Sequence, residues 1–178
     1  MNLTCGSLSR HAGYKKSIFE YKAWANNEIF SLLITIDSSI FPEVVHSAIW
    51  VLKHAFVVDE IFRHHLLQYS NDHKATNTDE TPSALSLFEK VKELDAWYIS
   101  YASSLEDKAL SESVEFIFTD GDHGKMTREE IFLHVITHGG YHRGQAGQII
   151  RAANVLPPRD IYTRFLHVTE PSRIEENG

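Results

Sequence analysis

Apolar side chains recur at threes and fours over four long stretches of the chain, the spacing of a single helical face. Residues 14–35 place Tyr14, Ile18, Tyr21, Trp24, Ala25, Ile29, Leu32 and Leu33 on such a stripe, and Asp37, Ser38, Ser39 and Pro42 then interrupt it. Residues 46–69 repeat the pattern with Val51, Leu52, Ala55, Val58, Ile61, Phe62 and Leu66. His54 falls on the stripe shared by Val58, Ile61 and His65. After a polar loop from Ser70 to Ser83, residues 83–106 turn Leu85, Phe88, Val91, Leu94, Trp97, Tyr98, Tyr101 and Leu105 inward. Residues 113–119 are β-prone and run into Asp120-Gly121-Asp122-His123-Gly124, which predicts a small hairpin. Thr127-Arg128-Glu129-Glu130 matches a capping box and opens a fourth long helix at about 128. That helix extends to about 153, where Asn154 and Pro157-Pro158 stop it. A short last helix is expected near 159–166.

Four long helices, each with one apolar stripe, predict an all-α four-helix bundle with a β-hairpin before the last long helix and a short C-terminal helix. No internal repeat, low-complexity tract or linker divides the chain, so residues 1–178 read as one domain. The loop at 70–82 is long enough to carry the chain along the bundle. Both an up-down-down-up order and a simple up-down order are therefore open.

Composition narrows the function classes. Seventeen basic against 24 acidic side chains give a net charge of −7, which argues against general binding to nucleic acid phosphates. Cys5 is the single cysteine, so no disulfide forms within the chain, and a reducing, cytoplasmic setting is expected. Its place near the terminus makes it a poor nucleophile. No apolar run approaches the ~20 residues of a membrane span, and no secretion signal opens the sequence.

The chemistry concentrates in the fourth long helix. His134, His138 and His142 follow one another at intervals of four, and at 100° per residue they share a stripe with Ile131, Gln145 and Ile149. The apolar members aim that stripe at the core, where imidazoles need partners. Two histidines four apart on a helix can grip one divalent ion. His54, on another core-facing stripe, offers a third nitrogen. A solvated or hydrogen-bonded histidine cluster is the competing reading. Gly139 follows His138, so the glutamate of the zincin H-E-x-x-H motif is missing and a metalloprotease is disfavoured. Gly140, Gly144 and Gly147 share a face, which predicts close approach of a neighbouring helix or a ligand.

With these residues assembled, the chain resembles the DinB family of damage-inducible, four-helix metalloproteins. Tyr21-Lys22-Ala23-Trp24-Ala25-Asn26 resembles that family's Y-x-x-W-A-N segment, and Leu52-Lys53-His54 with Asp59 resembles its second-helix motif. The stretch from His134 to Gln145 resembles its signature H-x-x-x-H-x-x-x-H-R-G-Q. The resemblance implies an open triad of ligands at His54, His138 and His142, zinc or nickel as the usual occupant, and often a homodimer. It further implies relatives that include transferases using low-molecular-weight thiols, and hydrolases.

Three imidazoles leave a coordination position for water or a small-molecule substrate, the pattern of a reactive site. Asp59, Gln145 and His134 are candidates to orient a ligand ring through its other nitrogen, and His134 is also a candidate to replace one ligand. Asp59 is equally readable as an exposed carboxylate. Arg143 is expected in a structural salt bridge ahead of a pairing with Asp59 or a substrate carboxylate. His64, His65, His73 and His123 are expected at the surface, and Trp24, Trp50 and Trp97 in the core or a cleft wall. Two functions follow: a metal-dependent enzyme, either thiol transferase or hydrolase, or a non-catalytic metal-binding stress-response module.

Overall fold

The computed structural model describes residues 8–69, 73, 75–77 and 80–174. Four long helices, α1 (Leu8–Thr35), α2 (Pro42–Leu67), α3 (Ala84–Ser104) and α5 (Arg128–Ile150), form the bundle. Between α3 and α5 lie the one-turn helix α4 (Asp107–Leu110) and a hairpin of β1 (Ser113–Ile117) and β2 (His123–Thr127). The short helix α6 (Tyr162–Thr169) follows α5 after an extended stretch through Pro157 and Pro158. Cys5 lies outside the described residues, as does part of the loop between α2 and α3.

Side-chain pairs fix the helix directions. Phe19 stacks on Tyr98 and Phe30 on Phe88, so α1 and α3 run antiparallel. Tyr98 donates to the carbonyl of Asp59, and Tyr101 to that of Leu66, so α2 and α3 run parallel. Phe62 meets His134 while His54 meets His142, which makes α2 and α5 antiparallel. The order is therefore up-down-down-up, and the long α2–α3 connection is what permits it.

Local chemistry sets the boundaries. The capping box forms as the sequence predicts: Thr127 Oγ1 accepts from the Glu130 amide, and Glu130 accepts from the Thr127 amide. Ser83 caps α3 through the Ser86 amide. Gln68 ends α2 in the left-handed region at φ 56°, with the Tyr69 amide bonded back to the His64 carbonyl. The tight segment of the hairpin spans Phe118 to Asp122, with Gly121 at φ 97°, so His123 and Gly124 belong to β2 and not to the turn. α1 begins before residue 14, and Tyr14 lies on its outer side, 63% exposed, instead of in the core. Phe19, Phe30, Leu87, Ile131, Val135 and Ile150 fill the centre.

Among the described residues, no helix is long and apolar enough to cross a membrane.

Candidate metal centre

Helix α5 presents His134, His138 and His142 as successive rungs of one face, and antiparallel α2 brings His54 opposite them. The His54 ring centre lies 5.2 Å from that of His138 and 4.7 Å from that of His142, and the last two are 4.4 Å apart. One nitrogen from each of the three falls within 4.8 Å of the others. His142 Nε2 and His138 Nε2 are 3.0 Å apart. Around a tetrahedral zinc with Zn–N near 2.0–2.1 Å, ligand nitrogens sit roughly 3.3 Å from one another; the His138–His142 pair already stands near that spacing, and the set as a whole would close on an ion from within 4.8 Å.

Hydrogen bonds at the far nitrogens prepare two of the rings. His54 Nδ1 lies 3.1 Å from the Thr76 carbonyl, which only accepts, so Nδ1 carries the proton and Nε2 keeps its lone pair. His142 Nδ1 donates to Gln145 Oε1 at 2.7 Å, with the same consequence. His138 Nδ1 is buried and lacks a partner among the described residues. Burial, and then the neighbouring His142, His134 and His54, pull His138 down to about 3 from the usual histidine value. Burial also lowers His142 against the opposing Gln145 bond, and burial lowers His134. All three are therefore neutral at neutral pH, the form that ligates metals.

The remaining predicted residues divide. Gln145 sits on His142 as a ring-orienting partner would. His134 stacks on His138 at 5.1 Å and packs against Phe62, outside the converging set. Asp59 is neither exposed nor on an imidazole: it is 3% exposed, and Lys22 Nζ lies 2.8 Å from its Oδ2. Arg143 pairs with Asp160 through Nε at 2.7 Å and donates to Asn26 Oδ1, leaving Asp59 to Lys22. His65 is a correction to the surface reading. It is buried, with its ring stacked on Phe116 of β1 at 4.6 Å, because the hairpin folds over the end of α2. Burial accordingly lowers its pKa. His123 is exposed, while His64 and His73 are half-buried. Trp24 and Trp97 are half-buried, and Trp50 is more exposed, beneath the Lys53 ammonium.

Close approach at the glycines is narrower than predicted. A side chain on Gly147 would meet Pro157 at 3.3 Å, so the chain returning after α5 uses that space; Gly144 faces open space.

Sequence reasoning missed Lys22, Asp95 and Tyr141. Lys22 Nζ contacts Asp95 Oδ1 at 2.6 Å as well as Asp59, and Asn26 donates to Asp95 Oδ2. The signal was available: Lys22 stands four residues from Ile18 and three from Ala25, and Asp95 four from Val91 and three from Tyr98. Tyr141, 64% exposed, sets its ring edge-on 5.1 Å from His142.

An up-down-down-up helical bundle with three histidines converging between two antiparallel helices defines a helical protein able to hold a metal ion. The model of the DinB family matches residues 8–176, and the chain belongs to that family. It is similar to Protein DinB of Bacillus subtilis (strain 168), at 25% identity over 173 residues covering 88% of this chain and 95% of that protein. No solved structure matches the chain.

Proposed function

We propose that His54, His138 and His142 bind one divalent ion, zinc or nickel, and that the protein is a metal-dependent enzyme, a thiol transferase or a hydrolase, acting on a small molecule in the cytoplasm. The convergence of three imidazoles from two helices carries this reading. A bound ion would supply Lewis acidity, making a thiolate or hydroxide available at neutral pH. The chain's own residues do the rest. The Thr76 carbonyl and Gln145 hold His54 and His142 in the tautomer that points Nε2 inward, and Tyr141 borders the ligand ring of His142. Three protein ligands without a cysteine leave a position for substrate, as reactive zinc sites do and structural ones do not.

The non-catalytic module is favoured by one observation. Asp59, the carboxylate in the second-helix motif, is engaged by Lys22 and is not free to act as a base.

Homodimer formation belongs to the proposal, supported by the outer face of α5, where Leu133 and Tyr141 stand exposed beside Gly144. Sedimentation of the full chain tests it, and a monomer at micromolar concentration would remove it. Elemental analysis of protein purified without added metal, followed by assay against electrophiles with several cellular thiols and against simple esters and amides, tests the enzyme. Turnover that disappears with chelator supports it. A metal-loaded protein inert across the panel supports the module.

A further inference from the structure

Directly behind the histidines lies a polar cluster that the metal chemistry does not use. It draws Lys22 and Asn26 from α1, Asp59 from α2, Asp95 from α3 and Arg143 from α5, each at least nine-tenths buried. These groups line a cavity of about 20 Å³, together with Leu52, Phe56 and Gly139. A cavity needs roughly 10–15 Å³ and two to four polar partners to hold a water molecule.

The hydrogen-bond inventory shows what such a molecule would satisfy. Asp59 Oδ2 faces Lys22, but Asp59 Oδ1 is buried with no partner among the described residues. Lys22 has three N–H donors and directs two, to Asp59 Oδ2 and Asp95 Oδ1. Asn26 spends one amide hydrogen on Asp95 Oδ2, and its carbonyl accepts from Arg143. A buried carboxylate oxygen left bare is costly, while Lys22 keeps one ammonium hydrogen and Asn26 one amide hydrogen without a partner among the described residues, and both line the same cavity.

We propose that this cavity binds one ordered water molecule, which donates to Asp59 Oδ1 and accepts from Lys22 Nζ or Asn26 Nδ2. A metal cation is the wrong occupant, because the Lys22 ammonium and the Arg143 guanidinium already bring positive charge to the walls. Burial raises Asp59 to about 6 even against the lysine, and a water donating to Oδ1 would offset part of that desolvation. The water completes a clamp across all four long helices. Asp59 lies five residues beyond His54, and Arg143 adjoins His142, so the clamp holds the two histidine-bearing helices at a fixed separation.

A crystal structure of the full chain at about 1.5 Å or better tests this. The expected result is one well-ordered peak within about 3.2 Å of Asp59 Oδ1 and of Lys22 Nζ or Asn26 Nδ2. No peak, a peak at the shorter distances of a bound cation, or a protein donor rotated onto Oδ1 would each overturn the proposal. In solution, the Asn26 side-chain amide should show a water cross-peak with the sign of a long-resident molecule, and its absence would count equally against it. Neither readout depends on whether the histidines bind metal, so the two ideas fail separately.

Discussion

A single residue, Lys22, holds the buried charges of the bundle interior together. It is 2% exposed and held between Asp59 and Asp95. Burial alone would lower its pKa, but the two carboxylates outweigh that effect and raise it, so Lys22 stays an ammonium. Lys22→Met would leave two buried carboxylates without their cation. Breaking a buried pair costs roughly 3–5 kcal/mol, and a loss of that size in urea unfolding is the expected outcome; a change under 1 kcal/mol would show that the aspartates find other partners. Gln145 acts through another residue. Gln145→Leu removes the acceptor on His142 Nδ1, and loss of such an outer partner typically lowers metal affinity 10- to 100-fold. Competition titration against a chromophoric chelator measures it, and unchanged affinity would show that His142 needs no such support.

At the scale of the element, α5 is defined by its ends and by one face. Thr127→Ala removes the side chain that closes the capping box, and about 1 kcal/mol of stability should go with it, read as a shift in the urea midpoint at unchanged slope. The helical period, the capping box, the Asn154 stop at φ 57° and the histidine ladder were all legible in the sequence because each is local. The convergence of His54 on α5 was legible only as a shared inward direction, since no local rule fixes which helices become neighbours. His65 was misread for the same reason: what buries it is Phe116, on a hairpin far along the chain. Lys22 and Asp95 were passed over because charged residues on an inward stripe contradict composition rules unless their partners are known. Here each stands in the other's path, supplied by helices that only the fold brings together.

Across the whole molecule, stability couples to pH through two groups with opposite signs, the half-buried His138 and the buried Asp59. His138 has a folded value of about 3 against an ordinary value near 6.5. The unfolded chain therefore takes up that proton first, and the metal-free protein loses stability as pH falls from about 6.5 towards 3. Asp59 is raised to about 6, so its folded form keeps a proton that the unfolded chain has released, and its contribution is lost as pH rises from about 4 through 6. The two slopes oppose one another between pH 4 and 6. His138→Gln should flatten the acid-side loss, and Asp59→Asn should flatten the loss on the other side, both read from urea midpoints across that range in chelator-treated protein. Identical pH profiles for the variants and the parent would refute the assignment of either slope.

The central claim is that three imidazoles from two helices form one binding site. Titration of chelator-treated full-length chain with zinc and with nickel, by calorimetry and with helix content followed in parallel, addresses it directly. One ion per chain is expected for the parent, and no stoichiometric binding for His54→Ala, His138→Ala or His142→Ala at largely unchanged helix content. One ion per chain retained in all three variants would contradict it.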